Sequence, residues 1–365
     1  MKILRKTLPI LSAVLLFASC NKDAALSGEI DGPSDPEKKG VTFCFTTAEM
    51  ENPLSATVSS AKATRAVSES ELKNVRVLQF DGKTTEAKLI FNQFYKADQI
   101  VTDGDNKKLY VALFEKEETC IYVIANSDSE KLAKLEVDKD VTLGSFEAMT
   151  LDFADENDVT LTDTALPMVG SYSGAADLSQ SITIKLTRVV SKVEFTCNVN
   201  IPNGLGTFEI DRLQVVSAAS KVAFKKPAVP TAQTGLYPVA SSDNFFDFAE
   251  IAVPEADKNS VTKILYIPEN LRGVVTGLTD KTKDLEHAPE YSTCIDVSGE
   301  YTQGEKTTDV TYRIYLGKNN STDFNLIRNN AYKVTVTILG INENDKRVIV
   351  EKGIPAGKYD DEEWK

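Results

Sequence analysis

The sequence predicts an all-β protein with minor α content, folded as two antiparallel Greek-key β-sandwich domains in tandem. Three observations carry this. Short runs of β-branched and aromatic residues with period-two alternation recur along the chain, as at 182–186, 310–316 and 332–338. Asp, Gly and Asn turns separate them, without the regular intervening helices that a parallel sheet requires. The 365 residues suffice for two such units, and a proline- and glycine-broken stretch (LPMVGSYSG, 166–174) with a polar run to 181 divides them. The expected domains are 41–178 and 179–365.

In chain order, residues 1–19 read as an export signal. Lys2, Arg5 and Lys6 precede an apolar run, 8–17, that is too short to span a bilayer. Ala18 and Ser19 then lead into Cys20, with polar Asn21, Lys22 and Asp23 behind it. This resembles a bacterial lipobox, in which Cys20 is lipidated and anchors the precursor in the outer membrane. The other reading is a plain secretory signal whose cleavage site ends in cysteine. Several acyl chains, at about 0.8 kcal/mol per buried methylene, hold a protein in a membrane until proteolysis releases it. Residues 20–40, with Pro33 and Pro36, form a tether.

The first strand is expected at 41–46, where Val41, Phe43 and Phe45 alternate with Thr42, Cys44 and Thr46. From 55 to 68 nearly every residue is small or hydroxylic, and Arg65 stands between Thr64 and Ala66. A trypsin-like protease cutting after Arg65 would leave Ala66 at the new N-terminus and free the 41–46 strand. The sheet it leaves would expose a groove that invites another chain. The stretch reads equally as an ordinary linker with a surface arginine.

Strands follow at 75–80 (VRVLQF), with a hairpin turn at Asp81 and Gly82, then at 88–95, 109–114 and 120–125. Helical spacing is weak near 127–135 and at 145–155, where Phe146, Met149 and Thr150 recur. In the second half Ile182, Ile184 and Leu186 face one way, and after Thr187 and Arg188 alternation resumes through Val193 and Phe195. Further strands are expected at 208–216, 263–267, 310–316 and 332–339, with long loops at 225–252 and 270–291. The clearest expected element is a hairpin setting Tyr312, Ile314 and Leu316 opposite Tyr332, Val334, Val336 and Ile338. A short strand at 347–351 opens the acidic tail, 341–365, which either folds back as the sheet's last strand or reaches to a neighbour.

Composition narrows the function. A net charge of −13 lacks the basic face of a nucleic-acid binder. Cys44, Cys120, Cys197 and Cys294 are far apart, with no Cys-x-x-Cys pair, and lie in or near apolar runs, so buried thiols are expected rather than a metal site or disulfides. His287 is the sole histidine, in a polar loop, which leaves no multi-histidine centre or spread relay. Carboxylates cluster in charged turns, and no glycine-rich phosphate loop follows a strand. No catalytic residue, cofactor or metal is expected.

Five segments in order then resemble the fimbrillin family of surface pilus subunits from Bacteroidales. They are VRVLQFDG (75–82), LPMVG (166–170), KLTRVVSKVEF (185–195), YIPENLRG (266–273) and YRIYLGKNNSTDFNLIRNNAYKVTVTI (312–338). The resemblance implies two transthyretin-like sandwiches, export as a lipoprotein, cleavage after an arginine by an arginine-specific protease, and head-to-tail polymerisation by strand exchange. Arg65 and Ala66 match the cleavage position and Val41, Phe43 and Phe45 the displaced strand. Val348, Val350 and Ile354 match the strand supplied to the next subunit, although the tail's end is strongly acidic. Asp163, Thr164 and Ala165 resemble a short O-glycosylation motif of this bacterial group.

The leading expectation is a structural subunit, of the shaft, in a cell-surface fimbria that supports adhesion, with other fimbrial subunits and a host receptor as partners. The alternatives are a fimbrial tip or accessory adhesin, and a monomeric surface lipoprotein that binds host glycans or nutrients. The last predicts an aromatic platform, yet the sole tryptophan, Trp364, lies in the tail.

Overall fold

The computed structural model describes residues 38–50, 67–103, 106–127, 130–137, 139–159, 165–177, 179–277, 283–341 and 348–350. The first half contains β1 (Lys38–Thr47), β2 (Asn74–Phe80), β3 (Leu89–Lys96), β4 (Ile100–Asp103), β5 (Asn106–Phe114), β6 (Lys116–Ala125), β7 (Thr150–Asp152), β8 (Met168–Ala176) and β9 (Ile182–Arg188). Two short helices, α1 (Glu130–Ala133) and α2 (Leu143–Glu147), lie between β6 and β7. All the strands except β7 form one eight-stranded sheet in the order β3-β2-β6-β8-β9-β1-β5-β4. The sheet bends back on itself at β8–β9, where only Met168 and Val169 pair, with Arg188 and Thr187.

The inward side chains of the two layers make one core. Val41, Phe43 and Phe45 of β1 and Ile182, Ile184 and Leu186 of β9 meet Val75, Val77, Phe91, Ile121 and Val123 from β2, β3 and β6. On the outer face of β2, β3 and β6, Leu78, Phe80, Leu89, Tyr122 and Ile124 join a second core that runs into the C-terminal half. Phe146 of α2 is the joint: it contacts Phe80 and Tyr122 and stacks on Phe224 at 5.1 Å between ring centroids. Thr142 caps α2, accepting from the Ser145 backbone N–H, and the helix is one turn long.

The second half adds β10 (Val190–Val199), β11 (Thr207–Val216), β12 (Ala218–Ala219), β13 (Lys221–Ala223), β14 (Phe245–Phe246), β15 (Ile251–Ala252) and β16 (Ser260–Pro268). It continues with β17 (Asn270–Val274), β18 (Cys294–Gln303), β19 (Lys306–Tyr315), β20 (Asp323–Leu326), β21 (Ala331–Ile338) and β22 (Val348–Val350). A three-stranded sheet, β16-β10-β21, packs on a five-stranded one, β15-β11-β18-β19-β22. Val193, Phe195 and Tyr332 on one side meet Phe208, Ile210, Ile295, Val297 and Tyr312 on the other.

The all-β sandwich class is therefore found, with five differences from the sequence reading. The sandwich of the first half takes in β9, past the boundary placed at 178, and the chain changes sandwich at Val189. Alternation shifts by one residue at Val189–Val190, from 182, 184 and 186 to 193 and 195, but such a break does not say that the next strand feeds a different core. The expected hairpin of 310–316 with 332–339 does not form: β19 pairs with β18 and β22, whereas β21 pairs with β10. Both strands have the buried face that alternation requires, and they meet across the core rather than edge to edge. Helix was expected over 145–155, but the chain leaves α2 for β7, which pairs with β13 of the second half and overrides local spacing. Two pairings, β1–β9 and β10–β21, are parallel, and the long loop expected from 270 begins as a strand, β17. Cys44, Cys120, Cys197 and Cys294 are buried thiols.

Candidate functional site

The feature with most consequence is the slot that holds β1. Residues 38–45 pair antiparallel with β5, and Phe43–Thr47 pair parallel with β9, so the strand is interior, bonded along both edges. Val41, Phe43 and Phe45 are buried, with Phe43 and Phe45 edge to face at 6.0 Å. Cys44, pointing the other way, is buried too. Gly40 has a steric role, since the Tyr110 hydroxyl lies 1.4 Å from where its Cβ would be. The ring covers the bare strand.

Beyond its last paired residue the strand is fastened by side chains from far along the chain. The Ala48 N–H donates to the Leu186 carbonyl at 2.8 Å. Arg188, at the end of β9 and 1% exposed, donates from Nη1 to the Ala48 carbonyl at 2.9 Å and to Asn329 Oδ1 at 3.1 Å, and from Nε to the Glu69 carbonyl at 2.8 Å. Asn329 Nδ2 donates to the Glu49 carbonyl at 2.6 Å. Asn329 adopts φ +58°, a left-handed conformation that asparagine tolerates, and its backbone N–H donates to Val190.

Glu69 is the counterpart, in a single 3-10 turn, Val67–Ser70. Its Oε1 accepts from Lys192 Nζ and from the Tyr266 hydroxyl, each at 2.6 Å. Burial alone would push this carboxyl up, but the bonds from Lys192 and Tyr266 and the charges of Lys192 and Arg188 outweigh it and hold it below the usual carboxylate range. Burial, followed by the bond to Glu69, pushes the Tyr266 hydroxyl up. Residues 48–49 and 69, on either side of segment 51–66, are thus clasped by one cluster drawn from β9, β10, β16 and the turn before β21.

A second buried network backs the clasp. Arg328 donates from Nε to Glu269 Oε2 and from Nη2 to the Ala223 carbonyl. Gly273 takes φ +78°, and a Cβ there would lie 2.2 Å from the Ala232 carbonyl oxygen; its N–H donates to Asn325 Oδ1 at 2.8 Å. Where the long loops meet, Arg272 lies over Phe245, which stacks on Tyr291 at 4.5 Å.

Of the residues singled out in the sequence, Val41, Phe43 and Phe45 come together in the slot. Val348 and Val350 bound β22, which pairs antiparallel with β19 at the sheet edge, Val350 opposite Val310 and Val348 opposite Tyr312. Cys20, Arg65, Ala66 and Ile354, and Asp163 and Thr164 of the glycosylation motif, lie outside the described residues. His287 Nδ1 is 2.8 Å from Asp284 Oδ1, and among the described residues no group of three His, Cys, Asp or Glu side chains is arranged to hold a metal. No helix among them is long and apolar enough to cross a membrane.

Sequence reasoning missed Glu69, Arg188, Lys192, Tyr266 and Asn329 as a cluster. The signals were present: a charged residue interrupting the alternation of KLTRVVSKVEF, and three polar residues, RNN, placed just before a strongly alternating strand.

A family model described as a domain of unknown function (DUF4906) matches residues 265–336, which include Glu269, Arg328 and Asn329. No curated protein matches the sequence. Among solved structures, the chain resembles a candidate cell adhesion protein from Parabacteroides distasonis with TM-score 0.56 and 12% identity, over 85% of this chain and 95% of that one. A candidate cell adhesion protein from Bacteroides eggerthii gives TM-score 0.53 and 16% identity, over 86% and 94%. A further one from Parabacteroides distasonis gives 0.52 and 14%, over 86% and 98%. The chain shares the fold of these proteins along nearly its whole described length.

Proposed function

We propose that the protein is a structural subunit of a cell-surface fimbria, of the shaft, that serves adhesion and carries no catalysis. In this reading it is exported as a lipoprotein acylated at Cys20 and cleaved after Arg65 by an arginine-specific protease. It then polymerises when a strand from a second copy, bounded by Val348, Val350 and Ile354, replaces Val41, Phe43 and Phe45. The observation that carries the reading is the interior seat of β1 between β5 and β9, followed in the sequence by 51–66, the segment that holds Arg65 and leads to the strands that stay after cleavage. The five fimbrillin-like segments, and the fold shared with Bacteroidales cell adhesion proteins, support it.

Energetics favour exchange once the linker is cut. Three inward apolar side chains are worth about 1.5–3 kcal/mol each on burial, and each ladder hydrogen bond about 1 kcal/mol net. An emptied slot between two strands therefore attracts any strand of matching pattern. Donor and slot are different surfaces, so the contact runs head to tail and grows filaments. Before cutting, the chain's own β1 blocks this.

A second reading, a tip or accessory subunit, is favoured by β22, which pairs with β19 of its own sheet rather than standing free. One experiment addresses both: Arg65→Ala in cells, with mass analysis of the surface protein and imaging of filaments. The shaft reading expects native protein beginning at Ala66 and its loss from filaments in the variant. Normal filaments built from uncut variant would overturn it, and cut protein found only at filament ends would favour the tip.

A further inference from the structure

We propose that Arg188 and Asn329 form an end stop for the β1 slot: they bind two successive main-chain carbonyls of whichever strand fills it and so set its register. After processing, the occupant is a strand from a second copy of this chain. This second limb rests on the strand-exchange reading above; the first does not.

The geometry is specific. Arg188 Nη1 and Asn329 Nδ2 bond the carbonyls of Ala48 and Glu49, at 2.9 and 2.6 Å, and touch neither side chain through these bonds. Recognition of main-chain oxygens is indifferent to the occupant's sequence, so one device serves the chain's own strand and a foreign one. It lies one residue past the last pair with β9, Thr47 with Leu186, where a one-residue slip would turn Phe43 and Phe45 out of the core.

The end stop also survives removal of β1. Arg188 keeps its bond to the Glu69 carbonyl, and Glu69 keeps Lys192 and Tyr266; all of these lie C-terminal to Arg65 and stay with the processed chain. The bonds lost are those to the Ala48 and Glu49 carbonyls. A charge-assisted bond from this buried guanidinium to a carbonyl there is favourable beside the bonds it keeps to Glu69 and Asn329, so the site favours another main-chain carbonyl. Asn329 belongs to the second half, and slot filling is therefore sensed at the junction between the halves.

The test uses the full chain in two forms. In uncut protein, amide exchange is followed for Ala48, whose N–H is bonded to Leu186. Arg188→Met and, independently, Asn329→Gly, which preserves the left-handed backbone, are expected to speed it about tenfold relative to the amides of β18, the effect of losing roughly one such bond. Unchanged relative rates in both variants would overturn the end stop. In protein cut after Arg65, labelled peptides 38–50 and 38–47 are chased from the slot. The longer is expected to leave about tenfold more slowly from native protein, with the difference largely gone in the variants. Equal ratios in native and variant protein would overturn the second limb. Failure of cut native protein to release its own strand or take either peptide would instead sink the strand-exchange reading, and the second limb with it, leaving amide exchange to judge the first.

Discussion

Arg328 holds both oxygens of Glu269, its Nε 2.7 Å from Oε2 and its backbone N–H 3.1 Å from Oε1, with both side chains out of water. The pair joins the turn after β20 to the residue between β16 and β17. Removing one partner strands a buried charge, which costs far more than the pair itself contributes. Arg328→Met is therefore expected to destabilise the protein by about 3–5 kcal/mol in denaturant unfolding. Adding Glu269→Met should recover part of that loss, and strictly additive effects in the double-mutant cycle would contradict the pairing.

Phe43 is fully buried in β1, while Thr46, three residues on, is exposed. Phe43→Ala should cost about 3–5 kcal/mol through lost burial and the cavity it leaves. Thr46→Ala should stay within about 0.5 kcal/mol. Equal effects on the unfolding midpoint would show that β1 adds little to the fold.

Lys283 Nζ is buried against the carbonyls of Asn319 and Asp323, at 2.7 and 2.6 Å, and lies 4.8 Å from the Phe324 ring centroid. Burial pushes its pKa down to about 7, only partly opposed by the charge of Asp323. Above that pH the folded amine is largely neutral, whereas the unfolded one stays charged to about pH 10.4. The unfolded state then binds more protons, and stability rises with pH. Buried Cys197 and Cys294, whose thiols burial pushes up, act oppositely once unfolded thiols ionise near pH 8.5. Between about pH 7 and 8.5 the native unfolding midpoint should rise, and Lys283→Met should flatten it. An identical slope in the variant would remove lysine as the cause.

Much of this was legible in the sequence. Alternation at Val41, Phe43 and Phe45 named the buried face of β1, and the scattered cysteines in apolar runs read as buried thiols. The wrong hairpin is instructive, because Tyr312 and Tyr332 do share a core, as alternation implies, yet their strands belong to different sheets. A period of two states which side is buried and says nothing about which backbone lies alongside.

By itself the sequence determined what depends on near neighbours in the chain: the β class, the inward residues of each strand, and the turns between them. Only the tertiary structure decided the parallel seating of β1 on β9, the passage from one sandwich to the other at Val189, and the clasp drawn from Ala48, Glu49, Glu69, Arg188, Lys192, Tyr266 and Asn329. The reason is physical. Side-chain burial follows a periodicity set within a few residues, but the partner of a buried polar group is whatever the packed chain brings within about 3 Å, here across more than a hundred residues.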